Sequence, residues 1–339
     1  MSSLRLVRSC SLLALAWFTA CGDGPPPAPD APPSMIPTSP AGIFTLTSTL
    51  DIEVPPAAAP VLARLIAATD GPDDPSRYLL DRMIATLPDG PIRTLAGNAA
   101  PYLAAYLNER LGEIAPGFVT GIDKLADGLS RIASHIGTVE TLQIDATGAA
   151  TRTITAVRFE LGAAPITLRL ADNGLGDIVT SLDVTLDTAG AAGPAGTIAL
   201  GTHAHALPYG AVLRLGLDRA VVGSVVPAAH DLAGALTALV DCDRLGTMVA
   251  DRIGLGSEAP YRAACRAGMI AIASEVYDRI ATIDDTPLGL ELAGTALGID
   301  LDANGTMDEL RQGRWTGTVT SGSSRAAIQA ASFTGKSSR

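Results

Sequence analysis

From Ile43 the chain alternates between apolar and polar positions. Phe44, Leu46, Ser48, Leu50, Ile52 and Val54 fall on one parity, and Thr45, Thr47, Thr49, Asp51 and Glu53 on the other. That two-residue period is the mark of a half-buried strand. A helical block follows over about 57–136, broken at Asp70-Gly71-Pro72, Pro88-Asp89-Gly90-Pro91 and Ala115-Pro116. Its last helix is the clearest element of the chain. Phe118, Ile122, Leu125, Leu129, Ile132 and Ile136 recur every three or four residues, while Asp123, Lys124, Asp127 and Arg131 occupy other faces, as in an amphipathic helix. Pro116 opens it and Gly137 ends it, a proline-first, glycine-last arrangement. Its length would be about 30 Å at the helical rise.

The period returns to two over about 139–218. Val157, Phe159 and Leu161, then Ile166, Leu168 and Leu170, then Ile178, Leu182, Val184 and Leu186, and finally Leu213, Leu215 and Leu217 alternate with polar residues. Helix is expected again over 231–283, then strands around Leu288, Leu290 and Leu292. Trp315-Thr316-Gly317 and Phe333-Thr334-Gly335 read as matching positions on two terminal strands. Clean alternation implies antiparallel pairing with one wet face, whereas doubly wound parallel sheets show continuous apolar runs. The expected fold class is therefore α+β: an antiparallel sheet packed on one face by helices, in one form a curved sheet wrapping the long helix. Short connections favour a single α+β domain over 43–339. A lipid-facing barrel also alternates, but two long helical blocks argue against it.

Composition narrows the classes. Apolar residues make up 47% of the 339 and the net charge is −11. The first excludes intrinsic disorder and the second argues against binding a phosphate backbone, so no nucleic-acid partner is expected. Only Lys124 and Lys336 are lysines among 24 basic residues; with abundant alanine this reflects a GC-rich coding bias rather than a phosphate site. Aromatics are 4%, too few for a typical recognition hot spot.

The first forty residues carry an address. Arg5 and Arg8 precede the charge-free run Cys10–Phe18, which has the length of a secretory core and is too short to span a bilayer. It leads into Phe18-Thr19-Ala20-Cys21. Small residues before a cysteine at this point resemble the lipobox of bacterial lipoproteins, with Phe18 where leucine is more usual. The resemblance implies a signal peptide over 1–20, removal of that peptide, and acylation of Cys21 as a membrane anchor. Residues 22–42 then hold eight prolines in 21 positions, an extended spacer, so 21–42 reads as lipidated cysteine plus tether. The expected location is the bacterial cell envelope, with the outer membrane favoured because Gly22 rather than aspartate follows the cysteine.

Within the domain, Cys242 and Cys265 are the only cysteines, and in an exported chain they are expected to form a disulfide. The turn around Gly254 to Pro260 is off-centre between them, and Gly246 is a candidate break in the first helix. The sharpest motif is Asp300-Leu-Asp302-Ala-Asn304-Gly305-Thr306-Met307-Asp308, which resembles the first nine positions of an EF-hand calcium loop. Asp300, Asp302, Asn304, Thr306 and Asp308 would supply oxygen ligands and Gly305 the sharp turn, giving a structural calcium ion as the one candidate cofactor. Arg311 stands where the twelfth-position glutamate belongs, and strands rather than helices flank the loop. The alternative is an ion-free Asp/Asn/Gly turn. His203 and His205 share a strand face, but no third zinc ligand lies nearby in sequence. Asp284-Asp285 reads as a solvated pair. No catalytic signature is present, and the chain is not expected to be an enzyme.

Two functions remain. One is a lipid-anchored carrier of a lipid or other apolar ligand, similar in outline to bacterial lipid-binding folds such as tubular lipid-binding domains, with an apolar groove between helices and sheet. The alternative is a structural or adhesive envelope lipoprotein whose core is filled. Protein partners are not indicated by the sequence.

Overall fold

A computed structural model describes residues 36–56, 58–67, 75–162, 164–189, 195–254 and 257–338. The signal peptide, Cys21, most of the tether and the Asp70-Gly71-Pro72 break lie outside the described residues. In chain order the elements are β1 (Gly42–Asp51), α1 (Ala59–Ala67), α2 (Pro75–Thr86), α3 (Pro91–Asn108), α4 (Leu111–Ile114), α5 (Phe118–Ser134), β2 (His135–Ile144), β3 (Ala149–Phe159), β4 (Ile166–Arg169), β5 (Ile178–Asp187) and β6 (Ala195–Leu207). They continue with α6 (Tyr209–Gly216), α7 (Val222–Val225), α8 (Leu232–Leu239), α9 (Cys242–Ile253), α10 (Ala259–Ala281), β7 (Leu288–Ile299), β8 (Glu309–Ser321), β9 (Ser324–Ala327) and β10 (Ala330–Ser337).

The sheet is not open. Strands β1, β2, β3, β5, β6, β7, β8 and β10 pair in that order, each antiparallel to the next, and β10 pairs with both β8 and β1. The result is a closed eight-stranded up-and-down barrel, with β4 added beside β3 and β9 beside β8. This corrects the expectation of an open α+β sheet packed on one face by helices. Alternation is a local signal, and it is the same whether the buried face meets helices or the lumen of a barrel. Closure joins Phe44 to Ser337 and Asp51 to Ala330, pairings that no local period encodes. It also removes the unpaired edges an open sheet exposes.

The lumen takes the apolar parity and the outside takes the polar one. Phe44, Leu46, Leu50, Leu142, Ile154, Leu200 and Leu292 are buried, while Thr151, Ser181, Thr316 and Thr334 are exposed outside. A lipid-facing barrel has the reverse arrangement. Among the described residues no helix is long and apolar enough to cross a membrane.

Both helical insertions leave and rejoin the barrel at one end. The register places Asp51 opposite His135 and Leu207 opposite Leu288, so α1–α5 and α6–α10 both rise from that end. The Tyr209 hydroxyl donates to the Ala133 carbonyl, tying the second insertion to the first. At Gly216 a Cβ would stand 2.8 Å from both Ile132 and Phe159, so only glycine allows α6 to approach α5 and β3 this closely. The opposite end carries the loops 145–148 and 300–308, together with the end of β5 and the start of β6.

Four local readings are also corrected. Leu213, Leu215 and Leu217 belong to α6 and the π-helical turn after it, not to a strand. Three leucines over five residues fit either period, and burial of Tyr209, Val212, Leu213, Leu217 and Ala220 decides for helix. Asp284 is not simply solvated: its carboxylate accepts the amides of Gly210 and Ala211 at 2.7 and 2.8 Å, capping α6. The α5 helix ends at Ser134, and Ile136 and Gly137 already lie in β2. Gly246 does not break α9; it lets Arg262 of α10 pack close.

Candidate functional site: a buried ion pair in the lumen and an aspartate loop at its end

At mid-height the lumen holds charge. Glu140 on β2 and Arg152 on β3 are 0% and 1% exposed, and their guanidinium–carboxylate contact is two-pronged, 2.5 Å from Nε to Oε2 and 2.7 Å from Nη2 to Oε1. Thr138 donates to the same carboxylate at 2.5 Å. Burial raises the carboxyl's pKa, but the Arg152 charge and these hydrogen bonds more than offset it, and Glu140 is held below the usual range.

The third donor arm of Arg152, Nη1, lies 2.8 Å from Nε2 of His203 on β6. A guanidinium only donates, so Nε2 accepts, and Nδ1 donates to the Gly201 carbonyl at 2.9 Å. That fixes one neutral tautomer. Burial, and then the Arg152 charge, lower the His203 pKa against the pull of the Gly201 carbonyl. The guanidinium also lies 4.7 Å above the Trp315 ring, a buried cation–π contact. Trp315 donates through Nε1 to Ser48 at 3.2 Å and packs on Phe333 with centroids 4.4 Å apart. Gly294 makes the room, since a Cβ there would meet Trp315 at 2.6 Å.

His205 stacks on His203 with centroids 6.3 Å apart. Both of its ring nitrogens are buried without a hydrogen-bond partner among the described residues. Burial first, then Arg152, push its pKa down to about 4. The shared strand face of the two histidines is as expected from spacing, but His203 Nε2 is taken by the Arg152 guanidinium at 2.8 Å, whose positive charge disfavours a metal cation beside it.

Sequence reasoning missed Glu140 and Arg152, although a signal was present. Glu140 shares its parity with Ile136, Leu142 and Ile144, and Arg152 with Ala150 and Ile154. Opposite charges on the buried parity of consecutive strands are a recognisable pattern, because a buried charge demands a partner.

The aspartate loop joins β7 to β8. Carboxylate oxygens of Asp300, Asp302 and Asp308 all lie within 4.8 Å of one another, so the structure gathers three of the five expected ligands. Asn304 and Thr306 instead bond each other, Thr306 Nα and Oγ1 both donating to Asn304 Oδ1. Asp300 is 1% exposed and accepts the Gly305 amide at 2.7 Å and the Asn304 amide at 3.3 Å; Asp308 accepts the Leu301 amide at 2.8 Å. Gly305 adopts φ +87°, the sharp turn expected of it. Arg311 pairs with Glu309. The loop also pins the start of the described chain: the Thr38 amide donates to the Gly305 carbonyl at 3.0 Å and Ser39 bridges Thr306.

Cys242 on α9 and Cys265 on α10 stand at disulfide distance, with Cα atoms 5.6 Å apart. The surface hollows that touch the helices are open and have charged rims. One of about 490 Å³ involves Glu113, Asp241 and Arg266 beside Leu239. Another of about 650 Å³ involves Lys124, Asp127 and Arg131. The second is mainly polar, and the first mixes Ile114, Leu239 and Val240 with Glu113, Asp241, Asp243 and Arg266. No family model, curated protein or solved structure matches the chain.

Proposed function

We propose that the chain is an acyl-anchored lipoprotein of a bacterial cell envelope, and that its barrel is a filled structural head rather than a lipid carrier. The observation that carries this reading is the occupant of the lumen. Eight-stranded barrels are just wide enough either to be filled by side chains or to hold one small ligand. Here Glu140, Arg152, His203, Trp315 and Phe333 meet across the mid-height. An acyl chain at that level would have to displace a two-pronged ion pair and leave a charge unpaired, which costs several kcal/mol.

The anchor rests on the lipobox resemblance at Cys21. Expression of the full chain in a bacterial host tests both parts. Intact mass is expected to show a mature protein beginning at acylated Cys21, with acylation abolished by Cys21→Ala. A non-acylated mature chain would overturn the anchor. Native mass spectrometry of the detergent-released protein is expected to show no stoichiometric lipid beyond that anchor; a retained lipid mass would restore the carrier reading.

The aspartate loop is proposed as a structural calcium site, supported by the convergence of Asp300, Asp302 and Asp308 on oxygen ligands suited to a hard cation. The amide bonds to Asp300 hold the loop by themselves, so calcium would stiffen it rather than fold it.

A further inference from the structure

Strand β6 carries one extra residue in mid-wall. Before it Gly196, Ile198 and Leu200 are the buried positions; after it His203 and Leu207 are buried, with His205 half-buried between them. The pairing with β7 slips by one residue over the same span, from Leu200 opposite Gly294 to His203 opposite Leu292, which marks a β-bulge at Gly201 and Thr202. The bulge is what turns both histidines into the lumen. On the other side of β6 the ladder stops there. Strands β5 and β6 pair from Asp187 opposite Thr197 to Val184 opposite Leu200, and among the described residues no pairing continues from there toward Ile178 and Leu207. A Cβ at Gly201 would meet the Asp183 carbonyl oxygen at 2.9 Å, so the strands touch at the bulge and lose their ladder beyond it. Continued past the bulge, the register sets Thr180 opposite His205 on the inner face and Ser181 opposite Ala204 outside.

His205 borders this seam with both ring nitrogens buried and without a partner. Arg152 on β3, Glu140 on β2 and His203 on its own strand are the charged or titratable groups that act on it. The inner positions of β5 (Ile178, Thr180) and β7 (Leu290, Leu292) carry none, and the Tyr209 hydroxyl at the start of α6 is spent on Ala133. Glu140 is already committed to Arg152 in two hydrogen bonds. A proton on His205 would therefore add a second cation beside Arg152 and leave two N–H donors without an acceptor. Water relieves both, and the part of the wall that yields first is the part with no ladder to break. We propose that the β5–β6 seam is an acid-operated gate: protonation of His205 opens the wall between 178–183 and 202–207 and admits water to the lumen while the rest of the barrel stays closed. Burial, and then Arg152, hold the His205 pKa at about 4 in the closed wall, against its ordinary 6.5. The closed wall is thus fully favoured above pH 6.5 and loses that advantage as the pH falls toward 4. The gate is independent of the anchor at Cys21.

With Trp17→Phe the full chain keeps Trp315 as its one tryptophan, and that ring lies 5.6 Å from His203 inside the wall. Acrylamide quenching of its emission is followed from pH 7 down to pH 4, with far-UV circular dichroism as the measure of the whole barrel. The expected result is a quenching constant higher by about threefold or more at the acid end, rising between pH 6.5 and 4 while the circular dichroism holds. His205→Leu and His205→Gln, neither of which takes up a proton, are expected to remove the rise. So is a disulfide across the seam, Ser181→Cys with Ala204→Cys, its formation confirmed by intact mass. No rise in the single-tryptophan parent overturns the gate. A rise that survives both His205 variants assigns the proton elsewhere, and one that survives the cross-seam link assigns the route elsewhere; each overturns it. Loss of circular dichroism in step with the rise shows acid unfolding of the whole barrel and overturns it as well.

Discussion

Removing the Arg152 guanidinium leaves the Glu140 carboxylate buried with only Thr138 and Ser48 to answer it. Arg152→Met is therefore expected to destabilise the protein by about 3–5 kcal/mol, and the double replacement Arg152→Met with Glu140→Leu by much less, since breaking a buried pair costs more than replacing it. Urea unfolding of both variants checks this; an equal loss in the two would show that the charges do not depend on each other. His205 gives the lumen its acid sensitivity. Its pKa falls from the ordinary 6.5 to about 4 in the fold, so on lowering the pH the unfolded chain takes up the proton first. Stability is whole above 6.5 and declines toward 4, by about 2 kcal/mol between pH 6.5 and 5. Glu140, held low, adds a further loss once the pH falls below the usual carboxylate range. Thermal melts of His205→Leu are expected to be flatter over pH 5–7 than those of wild type, and parallel curves would contradict the assignment. At this scale the sequence was legible by half. Parity marked His203 and His205 as facing one way, but which residues faced them depended on which strands became neighbours.

The elements differ in how plainly they could be read. The α5 helix was clear because its apolar positions keep one period over seventeen residues. The α6 helix was not, because Leu213, Leu215 and Leu217 satisfy a two-residue period over their short span, and the Asp284 carboxylate that caps it comes from the far end of the insertion. The aspartate loop was legible as a turn and as a carboxylate cluster, while the mutual bonding of Asn304 and Thr306 appears only in the folded loop. Calcium at 100 times its dissociation constant is expected to stabilise the mature protein by about 2.7 kcal/mol, reversed by chelator and abolished in Asp302→Asn. An unchanged melting temperature at millimolar calcium would make the loop an ion-free turn. The Cys242–Cys265 link closes a separation of 23 residues, so reduction or Cys265→Ser is expected to cost about 3 kcal/mol, measured by denaturant unfolding with and without reductant.

For the whole molecule, closure is the feature that local patterns could not supply. Alternating strands, two helical insertions and their order along the chain were all evident, yet the partnership of β1 with β10 joins residues almost three hundred positions apart. Closure turns the buried face of a sheet into a lumen, and the ion pair lies inside it. Trp315 is 3% exposed inside the barrel and the chain's other tryptophan, Trp17, lies within the proposed signal peptide, so in a chain that begins at Cys21 its fluorescence reports on the interior without labelling. Titrating the mature protein with a brominated fatty acid while following Trp315 emission tests the central claim. A filled lumen predicts blue-shifted emission that acrylamide scarcely quenches and that the brominated lipid leaves unchanged. Saturable quenching at one lipid per protein would place an apolar ligand beside Arg152 and contradict the account.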